Sequence, residues 1–487
     1  MEKIRKTFRN ENVITFSEKH IEITCISYII KEMRKIKRKI WSYHGIFKLR
    51  IFFRFLPIFL IIYYLVPVKY KNPVLFFGSL VFYAMGSWKD ALLLLFSMSL
   101  NYILVLLMDH IRRKSSRNTI LVILLCYNIG LLCIFKYTRL SLPLGISFYT
   151  FTMLSYVLDV YKKKTAALRD YLEYGTYILL FPKLISGPIA QFANMAGQLK
   201  KHPIRLEKIE HGLTLFIIGL GYKVIIANHL AILWRDIQGI GFESISTPLA
   251  WMGAFGYSAQ LFFDFQGYSL MAIGIGEMLG FDLPKNFDHP YRSRTVSEFY
   301  RRWHITLGRW FRDYLYIPLG GNRKGNAWTF FNLLIVWVVT GMWHGSTINF
   351  PLWGLILFVF IALERFVIRN FLEKHGWLAH LYIWFVIPLT WVVFAITKLS
   401  DLKVYFARLF PFFGTGIAVN AGDYLKYGRT YGVFFLLAFV VSLPFMDKIL
   451  KKCWKKWWMK AILFVVLWIC IYQIANGLNN PFMYFSF

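Results

Sequence analysis

The sequence predicts an all-α polytopic membrane protein with roughly eleven transmembrane helices, and three observations lead there. Of 487 residues, 57% are hydrophobic and 19% aromatic. Only 17% are charged, against about 25% in ordinary soluble domains. The apolar residues also fall in long runs, and crossing a bilayer takes ~20 mostly apolar residues per helix. A mean hydropathy of +0.48 fits the same picture and excludes a soluble enzyme.

In chain order, residues 1–45 stand apart as a basic N-terminal extension. They carry Lys31, Arg34, Lys35, Lys37, Arg38 and Lys39, and no run long enough to span. The apolar pattern predicts spans at 51–67, 73–88, 91–109, 119–135, 142–161, 211–231, 247–264, 267–281, 328–345, 351–368, 380–397, 431–446 and 461–476. Some of these are short, hence the lower count. Pro182, Gly187 and Pro188 break the stretch 172–189, which therefore reads as re-entrant. Broken backbone survives at membrane depth only when buried in protein or lining a cavity.

Lysine and arginine (57) outnumber aspartate and glutamate (25), for a formal charge of +32. The basic residues sit in short clusters between apolar runs, which points to a membrane surface and cytoplasmic loops rather than to nucleic acid. Lys69 and Lys71, Arg112 to Arg117, and Lys162 to Lys164 follow the first, third and fifth spans, so that side is read as the cytoplasm. Residues before the first span would then lie outside, at odds with the basic run 31–39. Lysines 448–460 with Trp454, Trp457 and Trp458 read as a cytoplasmic anchor. The five cysteines have neither disulfide nor metal-ligand spacing, and no metal site is predicted.

Between Lys324 and Glu364 there is no charged residue, and His344 sits midway in Thr340-Gly-Met-Trp-His-Gly-Ser346. An ionisable group in such a stretch is costly, which marks it as a functional candidate. The second candidate is the segment 295–316. Thr295 and Glu298 form a capping box, and Phe299, Trp303, Leu307, Trp310 and Tyr314 recur at helical spacing. The expectation is one interfacial helix with Arg301, Arg302, Arg309 and Arg312 on its other faces and a gap at Gly308 beside His304. Asp264, Gln266, Tyr268 and Ser269 are polar groups in an apolar region, suited to lining a passage or to fixing helix packing.

Several ordered motifs resemble the membrane-bound O-acyltransferase superfamily, most closely its bacterial branch of alginate and peptidoglycan O-acetyltransferases. They are Pro143-Leu-Gly-Ile-Ser-Phe-Tyr-Thr-Phe151, Phe181-Pro-Lys-Leu-Ile-Ser-Gly-Pro-Ile189, Phe287 to Tyr291, Arg301-Arg-Trp-His304, Trp310 to Arg323 and Met342-Trp-His-Gly345. The resemblance covers residues 46–487. It implies a ring of tilted and short helices around a central funnel, with His344 catalytic and His304 the second active-site histidine.

The implied chemistry is acetyl transfer from a cytosolic thioester, acetyl-CoA, to a hydroxyl of a surface or secreted polysaccharide, with no bound cofactor. His344 is expected to act as base, and His304 to orient it or polarise the carbonyl. Ser346, Thr347 and Asn349 are candidate oxyanion donors. Arg301, Arg302, Arg309, Arg312 or Lys324 would meet the donor's phosphates. An extracytoplasmic acetyltransferase partner is expected, with the chain in the cell membrane. Two alternatives stay open: D-alanyl transfer to teichoic acid from a carrier protein, and a transporter or flippase. The ending Tyr484-Phe-Ser-Phe487 looks more like the acetyl-transferring type.

Overall fold

The computed structural model describes residues 55–413, 418 and 420–477. The extension 1–45, the start of the span at 51–67, Cys25 and the ending 484–487 lie outside the described residues. Among the described residues all regular structure is helical, and seven helices are long and apolar enough to cross a membrane. The count rises to eight if one bent pair forms a span, against the roughly eleven expected.

The reasons are physical. Phe55–Leu65 (α1) is a short apolar helix. Lys71–Ala84 (α2) has 14 residues and Ile146–Tyr161 (α5) has 16, about 21 and 24 Å at 1.5 Å per residue, below the ~30 Å hydrocarbon thickness. Between them, Trp88–His110 (α3) and Lys114–Tyr137 (α4) are full spans. Tyr171–Leu179 (α6) ends in the expected break: a single turn Phe181–Leu184 follows, then extended chain to Phe192–Lys200 (α7). Residues 174–190 are all buried, as irregular backbone at this depth requires.

Leu206–Ile240 (α8) and Thr247–Met278 (α9) form the centre. The apolar pattern splits α9 into two spans, but it is one 32-residue helix. Its glycines, Gln260, Asp264 and Gln266 dilute its hydropathy, and neighbouring helices bury it instead of lipid. The two helices touch backbone to backbone. A Cβ on Gly212 would collide with the Gly274 carbonyl, and one on Gly219 with that of Gly267. Small residues seven apart on both helices permit this approach.

At the same contact, Lys223 in the π-helical turn Tyr222–Ala227 pairs with Asp264, both almost fully buried. Removing one partner of such a pair strands a charge. Asp264→Ala is therefore expected to destabilise the fold by about 3–5 kcal/mol, read as a lowered melting temperature in detergent. The double replacement Lys223→Met with Asp264→Leu should recover most of that loss. Asp264 is thus seated in helix packing and does not line the cavity described below.

Two short helices, Val296–Arg302 (α10) and Ile305–Phe311 (α11), lead to the spans Asn326–His344 (α12), Asn349–Lys374 (α13) and Gly376–Ala395 (α14). Leu399–Leu409 (α15) is followed by Asp423–Ser442 (α16), bent by 70° from Pro444–Cys453 (α17), so the span expected at 431–446 is a broken one. Trp457–Ala475 (α18) closes the described chain. Burial separates centre from rim: 67% of the most apolar window is buried in α8, but 17% in α4 and 22% in α18. Exposed Phe96, Ile103, Val122, Phe464 and Trp468 on the rim helices face lipid.

Candidate active site

The segment 295–316 is not the single interfacial helix that its periodicity suggests. Thr295 caps it as expected, its hydroxyl accepting from the Glu298 N–H at 2.9 Å, while Glu298 reaches back to the Arg294 N–H. The helix then stops. His304 takes φ +45° and ψ +53°, a left-handed conformation uncommon for histidine. Backbone groups freed by the break are met from residues 286–288: the Asp288 N–H donates to the Arg302 carbonyl, and the Ile305 N–H to that of Asn286. The Asn286 side chain also bonds Ser269 and Thr306, and the Thr306 hydroxyl accepts from the Ile189 N–H. A polar chain thus ties α9, α11 and the broken stretch between α6 and α7 around His304. The apolar face divides accordingly, with Phe299 and Trp303 entering the central core and Leu307, Trp310 and Tyr314 a second cluster.

His304 is buried, its ring perpendicular to Phe265 at 4.6 Å. Burial pushes its imidazole far down, to about 3, so the ring is neutral in the physiological range. Backbone of this unusual conformation is stored where surrounding structure enforces it, characteristically at functional positions.

His344 is the last residue of α12, also buried. It packs against Trp353 at 5.1 Å and Phe394 at 5.2 Å. The Trp343 ring is near both histidines, 4.7 Å from His344 and 6.4 Å from His304. Glycines let α13 come this close: a Cβ on Gly341 would strike the Phe350 carbonyl, and one on Gly354 that of Trp337.

Both histidines line one cavity of about 960 Å³. Its inner end is made by His304, His344, Thr340 and Trp353. Its mouth carries the exposed arginines 301, 309 and 312, joined by Arg294, Arg365 and Arg369, which the sequence does not single out. His344 also lines a second, small cavity of about 50 Å³ with Lys136, Ser147, Phe148, Ile185 and Trp343. It therefore stands between a large basic vestibule and a separate recess.

The other named residues sit elsewhere. Arg302 is held by Glu298 at 3.0 Å and by Asp288, whose carboxyl Lys285 keeps below the usual carboxylate range. Lys324 lies over the Trp328 ring. Asn349 is buried, donating to the carbonyls of Val393 and Phe394 and accepting from Thr347, so it fastens α13 to α14. Ser346 is exposed and outside both cavities. Among the described residues, no group of three His, Cys, Asp or Glu could hold a metal ion.

The family model for the membrane-bound O-acyltransferases matches residues 75–400, a stretch that contains both histidines. The chain belongs to the membrane-bound O-acyltransferase family. This O-acyltransferase is 37% identical over 371 residues to a protein named probable alginate O-acetylase in Pseudomonas fluorescens, covering 74% of each chain. It is 34% identical over 410 residues to the peptidoglycan O-acetyltransferase of Helicobacter pylori, covering 72% of this chain and 77% of that one. The teichoic acid D-alanyltransferase of Lacticaseibacillus rhamnosus is 28% identical over 290 residues, or 54% and 71% of the two chains. The chain is accordingly a multi-pass membrane O-acyltransferase, with relatives that O-acetylate polysaccharides.

Proposed function

We propose that this enzyme carries acetyl groups from a cytosolic thioester, acetyl-CoA, to the opposite face of the cell membrane for O-acetylation of a surface or secreted polysaccharide. The observation that carries this reading is the cavity that joins two buried histidines to a mouth of exposed arginines. Sidedness supports it. Arg117 donates to the Tyr161 carbonyl, and Lys162 to that of Asp313, so the basic loops around 112–117 and 162–164 share the face of the arginine mouth. The positive-inside rule makes that face cytoplasmic.

The acceptor hydroxyl oxygen attacks the thioester carbonyl while His344 takes its proton. His304, neutral and held rigid, donates a hydrogen bond to the oxyanion that develops. Collapse breaks the C–S bond, and the thiolate leaves with the proton that His344 returns. Arginines 301, 309 and 312 hold the donor's phosphates by charge-assisted bonds. The attacking hydroxyl belongs either to an extracytoplasmic acetyltransferase partner or to the sugar itself. The greater likeness to acetyl-transferring relatives favours acetate over D-alanine.

Replacing Arg309 and Arg312 together by Gln tests the donor assignment. The KM for acetyl-CoA should rise by about a hundredfold or more, from two lost contacts to charged groups, with kcat changed little. An unchanged KM would end the phosphate assignment. Turnover of a D-alanyl carrier protein but not of acetyl-CoA would replace acetate by D-alanine.

A further inference from the structure

His344 ends α12, so the last carbonyls of that helix have no partners within it. Nor does a Gly345 cap bond close it: Gly345 is extended at φ −173°. Two side chains from α4 do the closing. Lys136 Nζ donates to the Trp343 carbonyl, and the Tyr137 hydroxyl donates to the Met342 carbonyl at 2.6 Å. These carbonyls belong to the two residues immediately before His344. The Lys136 ammonium also lies 5.5 Å from the centre of the Trp343 ring, which packs near both histidines.

Electrostatics explains the residue type. Lys136 is in the last turn of α4, and α4 and α12 end side by side. Each helix C-terminus carries a partial negative charge, so two such ends together favour a cation between them. Lysine reaches both, and its side chain lines the small cavity that it shares with His344.

We propose that Lys136, with Tyr137, is a positioning residue for the transfer reaction: by holding the Met342 and Trp343 carbonyls it fixes His344 at the junction of the two cavities. The inference rests on the reading of His344 as the base, and its test keeps the two apart. The full-length enzyme in nanodiscs is compared as wild type, Lys136→Met, Lys136→Arg and Tyr137→Phe, by hydrogen–deuterium exchange and by acetyl-CoA turnover.

Lys136→Met should speed exchange at the amides of residues 341–348 while leaving α8 and α9 unchanged. It should lower kcat by about 10²-fold, the cost of misplacing a reacting group by roughly 1 Å, with the KM for acetyl-CoA within about twofold of wild type. Lys136→Arg, which keeps cation and donor, should restore most of kcat, and Tyr137→Phe should give a smaller loss of the same kind. Unchanged exchange at 341–348 in Lys136→Met would overturn the clamp, as would a kcat loss that Arg does not rescue or that comes with a matching rise in KM. If the wild type does not turn over acetyl-CoA, the donor reading fails, and the exchange result alone still decides the clamp.

Discussion

Replacing His344 by alanine is expected to cut acetyl transfer by about 10²–10⁴-fold, the usual contribution of a positioned base. The KM for acetyl-CoA should stay near wild type, because the donor is held at the arginine mouth and the proton is taken at the inner end. His344→Gln separates chemistry from packing. Glutamine fills most of the volume between Trp353 and Phe394 and can still hydrogen bond, yet it cannot accept the hydroxyl proton at neutral pH. Steady-state kinetics on both variants should show kcat lost to a similar extent and folded protein recovered at wild-type yield. Activity retained in the glutamine variant would mean that His344 only fills space.

His304 should give the second large effect. Its side chain and its backbone make separate demands, and two substitutions separate them. His304→Ala places an L-residue at φ +45°, while His304→Gly adopts that conformation freely. If His304 supplies a donor to the oxyanion, both variants should lose about 10²–10³-fold in kcat, and glycine should not rescue. Thermal stability should differ, with the alanine variant lower by about 1 kcal/mol. Recovery of kcat by glycine alone would show that position 304 matters only for its turn.

How far the fold can be read from the chain depends on what surrounds each helix. Helices facing lipid, such as α4 and α18, must be apolar nearly throughout, so hydropathy finds them within a few residues. Hydropathy fails where protein replaces lipid. α9 carries Gln260 and Asp264, which α8 and its neighbours bury, and the half-buried Gln266, and the apolar pattern is therefore cut in two. α5 is apolar because it is buried along most of its length, whereas α2 is buried along one face only, and both are shorter than the hydrocarbon is thick.

The site shows the same division. His344 is legible because it is the single histidine among 39 positions without a formal charge, where an ionisable group is costly to keep. The break at His304 is not legible. No Gly or Pro marks it, the apolar period runs through it, and its backbone partners lie at 286–288. Lys136 is invisible for a similar reason, since its partner Trp343 is 207 positions away. Arg365 and Arg369 reach the cavity mouth from the far end of α13, where the sequence shows only a basic helix end.

The most direct test of the account is ester-linked acetate on the surface polysaccharide of cells lacking this protein, complemented with wild type or His344→Ala at equal membrane abundance. The account predicts that wild type restores the acetate and His344→Ala does not. Full restoration by His344→Ala would contradict it, and so would a wild-type complement that restores D-alanine esters while acetate stays unchanged.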